Sequence, residues 1–500
     1  MDDLRTFFFV VILCYVPFGT VISREYPFPS QDKIRGLKSG DCLINTTFYK
    51  WSNSERKTDF VLMNVPENRT NKSSRLLQIP VIRIYSDSEE PAKPVFTLAG
   101  GPGATNIAPI PPVWLLKNHD LVMVGYRGVD GSVSLQCPEA IEFMKQNSGS
   151  PLSKDYLQAF GDVYDRAFQR LSAAGIDIDG YNVVEVVDDI DVARQVLGYN
   201  TVNLCGGSWG TRIGYIYGLR YPENIHRMVL TGVNPPGHCI WEPATNDRLL
   251  QVYGELWKKD ADAVKRSADI VLTIRNVLKN LPPSWNGIPI NIDHVRMAMF
   301  INLFHVGSAA QLFDAFVAAE DGDYSGIAYL SYTFEMFKGD HINWGEGVAK
   351  AISADFDPNR DYFHDMMPQG CLLGSPMSQF MITPITKDNW PMKQVPKEYR
   401  ELRHSNVEAL LISGNLDIST PAANGEKMLR YLPNGKHIIL KEMGHLGDTC
   451  HLQQEAYEFL VLNYLSTGKV DDSKFHYQPI NFKPETTFQD IAKSFVAQKK

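Results

Sequence analysis

From Phe60 onward, apolar residues gather into short, nearly unbroken runs at 76–85, 95–98, 121–126, 202–205, 228–230, 409–412 and 437–440. Runs of this length, rich in Val, Ile and Leu and bounded by turn residues or helical patterns, predict strands buried on both faces. Such strands, alternating with helices, form mainly parallel sheets covered on both sides, so the pattern predicts an α/β fold. Between residues 230 and 409 the texture changes. Apolar positions recur at helical spacing over 246–257, 261–281 and 292–304, with loops rich in Pro, Gly and Asp between them. The expected organisation is a core in two parts, 24–234 and 400–500, with a helical cap inserted over 235–399. The stretch after Lys469 is polar and is expected to be a peripheral tail.

Composition narrows the function. At 44 % hydrophobic and 21 % charged the 500 residues suit an ordinary globular core. A net charge of −8 offers no basic field to a phosphate backbone, which argues against nucleic acid as a partner. The uncharged run 7–16, followed by Pro17, Gly19 and a small residue at Ser23, reads as a signal peptide over 1–23, although Asp2 and Asp3 make its start acidic rather than basic. The chain is therefore expected to be exported and free of the membrane once the leader is cut, since no later segment looks transmembrane. Six cysteines remain after that cut: Cys42, Cys137, Cys205, Cys239, Cys371 and Cys450. In an oxidising compartment several are expected to pair, with Cys205, at the end of a buried strand, the exception. Asn45, Asn68 and Asn71 head N-x-S/T sequons in polar segments expected to be exposed and open to glycosylation.

The chemistry lies in three loops, each directly after an apolar run. Gly206-Gly207-Ser208-Trp209-Gly210 follows the run 202–205 and precedes a helical stretch, the setting of a nucleophile elbow in which glycines let strand and helix approach while the serine hydroxyl stands clear. A serine needs a base, and the base an acid to orient it. The run 409–412 leads into Ser413-Gly414-Asn415-Leu416-Asp417, and the run 437–440 into Gly444-His445-Leu446-Gly447, which makes Asp417 the acid and His445 the base. His437 and His451 compete with His445, and Asp448 is either a supporting group or a turn residue. Two backbone N–H groups are needed for the developing oxyanion. Trp209 supplies one, and the glycine-rich turn Ala99-Gly100-Gly101-Pro102-Gly103 the other, with Gly101 favoured over Gly100.

Together AGGPG, YRGVDGS, GGSWG, GNLDISTP and GHLGD resemble the prolyl iminopeptidase and tripeptidyl aminopeptidase branch of the α/β hydrolases, over most of 60–237 and 407–452. The resemblance implies an α/β-hydrolase fold with a helical cap, and a serine exopeptidase that removes one or a few residues from a peptide with a free N-terminus, without metal or cofactor. It carries Ser208, Asp417 and His445 over as catalytic and Gly101 with Trp209 as the oxyanion hole. Two positions depart from the family: Ala99 stands where a His precedes GGPG, and Gly125 where an Asp stands two residues before the Arg-Gly pair. Cap glutamates bind the substrate ammonium in prolyl iminopeptidases, but the cap here matches no motif. Glu242, Glu320, Asp321 and Asp323 are acids whose plainer reading is a solvated face. The alternative function is a secreted carboxylesterase on the same triad, since fold does not decide substrate.

Overall fold

The computed structural model describes residues 26–498 apart from 35, 109, 340 and 341, so the leader read over 1–23 lies outside the described residues. Nine strands form one sheet in the order β1-β2-β3-β5-β4-β6-β7-β10-β11: β1 Cys42–Trp51, β2 Ser54–Pro66, β3 Leu76–Ile84, β4 Ala92–Leu98, β5 His119–Val124, β6 Val202–Gly207, β7 Ile225–Thr231, β10 Ala409–Gly414 and β11 Gly435–Leu440. A separate two-stranded ribbon holds β8 Ser284–Trp285 and β9 Ile288–Pro289. β1, β2, β3 and β5 pair antiparallel, and every pairing from β5 onward, through β4, β6, β7, β10 and β11, is parallel.

The unbroken apolar runs follow from a core on each face. In β4 and β5, Phe96, Leu98, Val122 and Val124 enter one core while Val95, Leu121 and Met123 enter the other. β10 repeats the alternation, with Ala409 and Leu411 on the first face and Leu410 and Ile412 on the second. Leu460, Val461, Tyr464 and Leu465 of the helix Gln454–Thr467 cover the second face. Each Val, Leu, Ile, Phe or Met side chain among them contributes about 1.5–3 kcal/mol on burial.

Helices fill the stretch between β7 and β10, among them Pro243–Lys259, Ile292–Asn302, Val306–Glu320 and Trp344–Ala354. The helix expected over 261–281 is instead two, Ala261–Arg266 and Ile270–Lys279, because the Asp269 side chain accepts the Leu272 N–H and starts a new helix. The stretch after Lys469 is not peripheral throughout. Phe482, Phe488 and Ala492 are buried, and the Phe482 ring packs edge-on against Trp257 at 5.2 Å.

Two further expectations change. Cys42, Cys137, Cys205, Cys239 and Cys371 stand outside any disulfide, which agrees with the reading of Cys205 and departs from the pairing expected of the others. Cys42 in β1 and Cys205 in β6 are five strand positions apart, about 24 Å at the usual spacing and far beyond disulfide reach. Of the sequons, Asn45 and Asn71 are exposed, but Asn68 is only 5 % exposed. Its amide donates to Asp177 at 2.9 Å and its oxygen accepts the Thr70 N–H and hydroxyl, so local polar bonds hold inside a residue that composition alone places outside.

Candidate active site

β6 ends at Gly207 and the helix Trp209–Arg220 begins at the next residue but one, leaving Ser208 alone at the turn with φ 51° and ψ −122°. A non-glycine residue pays conformational strain at positive φ, and persists there only when its surroundings over-determine it. They do so here. The Ser208 N–H donates to the Thr231 carbonyl of β7 at 2.9 Å, while the Ser208 carbonyl accepts the Thr211 N–H at 2.9 Å and its hydroxyl at 2.6 Å. Strand and helix can close this tightly only over glycine: a Cβ on Gly206 would lie 2.8 Å from the Gly210 carbonyl oxygen, and one on Gly210 would lie 2.0 Å from that of Leu98.

Asp417 and His445 enter from the loops after β10 and β11. The loops interlock, since Leu416 N–H donates to the Met443 carbonyl at 2.9 Å and a Cβ on Gly414 would meet that oxygen at 2.2 Å. His445 Nδ1 lies 2.8 Å from Asp417 Oδ2, and the Thr420 N–H and hydroxyl reach the same carboxylate at 2.7 and 2.6 Å. Asp417 is 1 % and His445 3 % exposed. Burial pushes the Asp417 carboxyl up, but the imidazole and the Thr420 donors outweigh it and hold the group below its ordinary value. An anionic Asp417 assigns the imidazole proton to Nδ1 and leaves Nε2 as the basic nitrogen.

Ser208 and His445 are linked through Gly232, the residue after Thr231. A Cβ there would lie 3.1 Å from His445 Cε1 and 3.0 Å from Thr420 Oγ1, so the chain bonded to Ser208 runs against the imidazole. Ser208 Oγ and His445 are not hydrogen-bonded here; contacts between catalytic groups are often long without substrate and tighten around it. The helical insertion is fastened to His445. His445 N–H donates to the Phe304 carbonyl at 2.6 Å, and the Phe304 ring stands edge-on to the imidazole at 5.5 Å. Asp448 Oδ2 receives Gly444 N–H at 2.7 Å and Val306 N–H at 2.9 Å, so this acid ties the insertion to the histidine loop.

The loop after β4 lies against Ser208. A Cβ on Gly100 would fall 2.7 Å from Ser208 Cβ and 3.4 Å from its Oγ, and Gly101 follows at φ 78°. Trp209, whose N–H starts the helix, has the Arg212 guanidinium over its ring at 4.3 Å. Arg212 itself is buried and paired with Asp355 at 2.7 Å.

The other candidates lie elsewhere. His437 is bonded to Ser413 Oγ at 3.0 Å, and His451 ends the helix Leu446–His451. Glu242 pairs with Arg360 at 2.8 Å, Glu320 accepts the Thr273 hydroxyl at 2.6 Å, Asp323 pairs with Lys493 at 2.8 Å, and Asp321 caps the helix Val306–Glu320. An acid that sequence reasoning missed does reach the loop after β4. Glu346, in the helix Trp344–Ala354, accepts the Gly103 N–H and pairs with Lys350 at 3.1 Å, with both side chains buried. Burial pulls the Lys350 ammonium below its ordinary value, and Glu346 opposes that fall. In sequence, Glu346 and Lys350 look like any surface pair one helical turn apart.

A family model for the alpha/beta hydrolase fold matches residues 117–452. Over 184 residues the chain is 29 % identical to a tripeptidyl aminopeptidase of Streptomyces coelicolor, covering 33 % of this chain and 32 % of that one. Over 77 residues it is 30 % identical to a proline iminopeptidase of Neisseria meningitidis, covering 15 % of this chain and 24 % of the relative. The matches thus span a third or less of these curated relatives. Among solved structures, Rv0554 of Mycobacterium tuberculosis overlaps 82 % of this chain and 99 % of its own at 13 % identity, with a TM-score of 0.39.

Proposed function

Since this chain belongs to the alpha/beta hydrolase fold family, we propose that it is an exported serine aminopeptidase that removes one or a few residues from peptides with a free N-terminus. The observation that carries the reading is the convergence of a strained elbow serine with a buried His445–Asp417 pair at 2.8 Å. Ser208 passes its proton to His445 Nε2 and attacks the scissile carbonyl. The N–H groups of Trp209 and Gly101 receive the oxyanion, the leaving amine takes the proton from His445, and water then releases the acyl group from Ser208.

The peptidase reading draws on the relatives' names, prolyl and tripeptidyl, and on the motifs shared with them. A helical insertion bonded to the backbone of His445 is in keeping with the capped architecture that the resemblance implies. Export is supported by the character of residues 1–23 alone.

The test is hydrolysis of prolyl, alanyl and tripeptidyl amide reporters, each with a free and an acetylated N-terminus, beside a short-chain ester. Turnover restricted to free-amine amides and absent in Ser208→Ala is the expected result. Cleavage of the ester alone, or indifference to acetylation, would replace the aminopeptidase by a carboxylesterase on the same triad.

A further inference from the structure

The two departures from the family, Ala99 and Gly125, meet at a residue outside the triad. Ala99 opens the loop that lies against Ser208, and side chains hold both of its backbone polar groups. Its N–H donates to Asn106 Oδ1 at 2.7 Å, and its carbonyl accepts the Tyr126 hydroxyl at 3.1 Å. The backbone N–H groups of these same two residues converge on one carboxylate oxygen, Asp130 Oδ2, at 3.0 Å from Asn106 and 2.8 Å from Tyr126. The other oxygen of Asp130 accepts the Thr105 hydroxyl. Asn106 is locked further, its amide donating to the Thr97 and Val124 carbonyls of β4 and β5 at 3.0 and 2.7 Å.

Gly125 explains how the carboxylate comes to be there. A Cβ on Gly125 would stand 2.8 Å from the Cβ of Asp130, so only one of these positions can send a side chain into that space. The family's aspartate at the first is absent, and Asp130 fills the place from five residues on.

We infer that Asp130 is the positioning residue of the oxyanion loop: its carboxylate fixes Asn106 and Tyr126, and through them Ala99 and the backbone donors that follow. This rests on the reading of that loop as the oxyanion hole of an acyl transfer. Burial, with Glu346 adding to it, pushes the Asp130 carboxyl up to about 6 against the pull of its three donors. Near pH 8 it is anionic and accepts from all of them. The loop's own glycines have little conformational preference to hold them, so an external clamp is what pre-organises the donors.

The experiment is single-turnover reaction of the full chain with a fluorophosphonate near pH 8, comparing the wild type with Asp130→Asn, Thr105→Val and Ser208→Ala. The phosphonyl oxygen takes the place of the oxyanion, so the rate constant reports the loop, whereas the final amplitude reports the fraction of molecules with a reactive serine. Loss of a whole oxyanion donor costs about 10²–10³ in rate, so a loosened donor in Asp130→Asn is expected to slow labelling about 10- to 100-fold at wild-type amplitude. Thr105→Val, which deletes one exposed donor to the same carboxylate, is expected to slow it about two- to fivefold. Labelling of Asp130→Asn at the wild-type rate, or a loss of amplitude with the rate constant unchanged, overturns the positioning role. If Asp130→Asn does not accumulate as folded protein, an unchanged rate in Thr105→Val overturns it. Absence of label in the wild type itself is a distinct outcome that overturns the acyl-transfer reading, and the role of Asp130 with it.

Discussion

Asp417→Asn is expected to lower kcat about 10,000-fold with KM nearly unchanged, a loss of about 5 kcal/mol of transition-state stabilisation. The side chain touches no substrate in the proposed mechanism; it acts by holding the His445 proton on Nδ1. An asparagine amide would present either an acceptor or a donor to that nitrogen. The Thr420 N–H, 2.7 Å from Oδ1, demands an oxygen at that position, so the amide nitrogen would take the place of Oδ2 and face His445, where the Thr420 hydroxyl, now 2.6 Å from Oδ2, can turn to accept. That selects the tautomer with the proton on Nε2, which has no lone pair left for Ser208. Steady-state kinetics on any reporter the wild type cleaves checks the split between kcat and KM. The same variant carries a stability signature. Because the Asp417 pKa is depressed in the folded chain, its contribution is present above the unfolded carboxyl value near 4 and is lost as pH falls through the lower folded value. The urea midpoint of the wild type should therefore exceed that of Asp417→Asn at pH 7, with the gap closing on acidification below about pH 4.

Arg127→Ala is expected to destabilise the fold by about 3–5 kcal/mol, the usual cost of breaking a buried ion pair from one side. The guanidinium is 0 % exposed and donates to both oxygens of Asp189 at 2.7 Å, to the Glu67 and Gly180 carbonyls at 2.6 Å and to that of Pro66 at 3.1 Å. Removing it leaves three backbone acceptors and a buried carboxylate short of donors. Arg69, which also reaches Asp189 at 2.7 Å, retains part of the charge balance, and this sets the upper end of the range. Arg127→Lys should recover little, because one ammonium cannot span five acceptor atoms arranged around a planar fork. Urea unfolding of the three proteins checks both statements; equal stability of Arg127→Lys and wild type would show that charge alone suffices. The Arg-Gly pair of YRGVDGS is thus a packing device rather than a catalytic one, joining β2, the helix Val183–Val196 and the turn that carries Asp130.

How far the sequence revealed this arrangement depended on whether a residue lay near an apolar run. Ser208 and Asp417 follow strands with residues against both cores, and His445 follows the edge strand β11, whose Ile438 and Leu440 pack on one core; such strands announce themselves as short runs of Val, Ile and Leu. β1 and the first half of β2 gave no such signal. They form an antiparallel edge hairpin with a solvated face, and residues such as Asn45, Thr46 and Thr47 conceal a strand from any search for apolar runs. Long-range polar contacts were illegible for a different reason. Asp130 in a Val-Asp-Gly turn has the appearance of ordinary turn chemistry, and only the converging N–H groups of Asn106 and Tyr126 give it another role. Glu346 and Asp448 likewise acquire meaning from backbone groups more than 100 residues away, Gly103 and Val306, and no local pattern records such a distance. The stretch after Lys469 was misjudged because its few apolar residues are widely spaced, yet Phe482 and Phe488 still find cover against the insertion. It also braces the histidine loop: the Tyr477 hydroxyl and the Ile480 N–H donate to Glu442 at 2.6 and 2.9 Å, three residues before His445.

The central claim, that Ser208 is a nucleophile activated by His445 and Asp417, is tested most directly by mapping the site of covalent labelling. The protein is treated with a fluorophosphonate, its intact mass measured, and its peptides sequenced by tandem mass spectrometry, with Ser208→Ala and His445→Ala alongside. The account predicts one adduct per chain, carried by Ser208, absent in Ser208→Ala and formed far more slowly in His445→Ala. An adduct on another residue, no adduct on the folded wild type, or labelling of His445→Ala at the wild-type rate would contradict it.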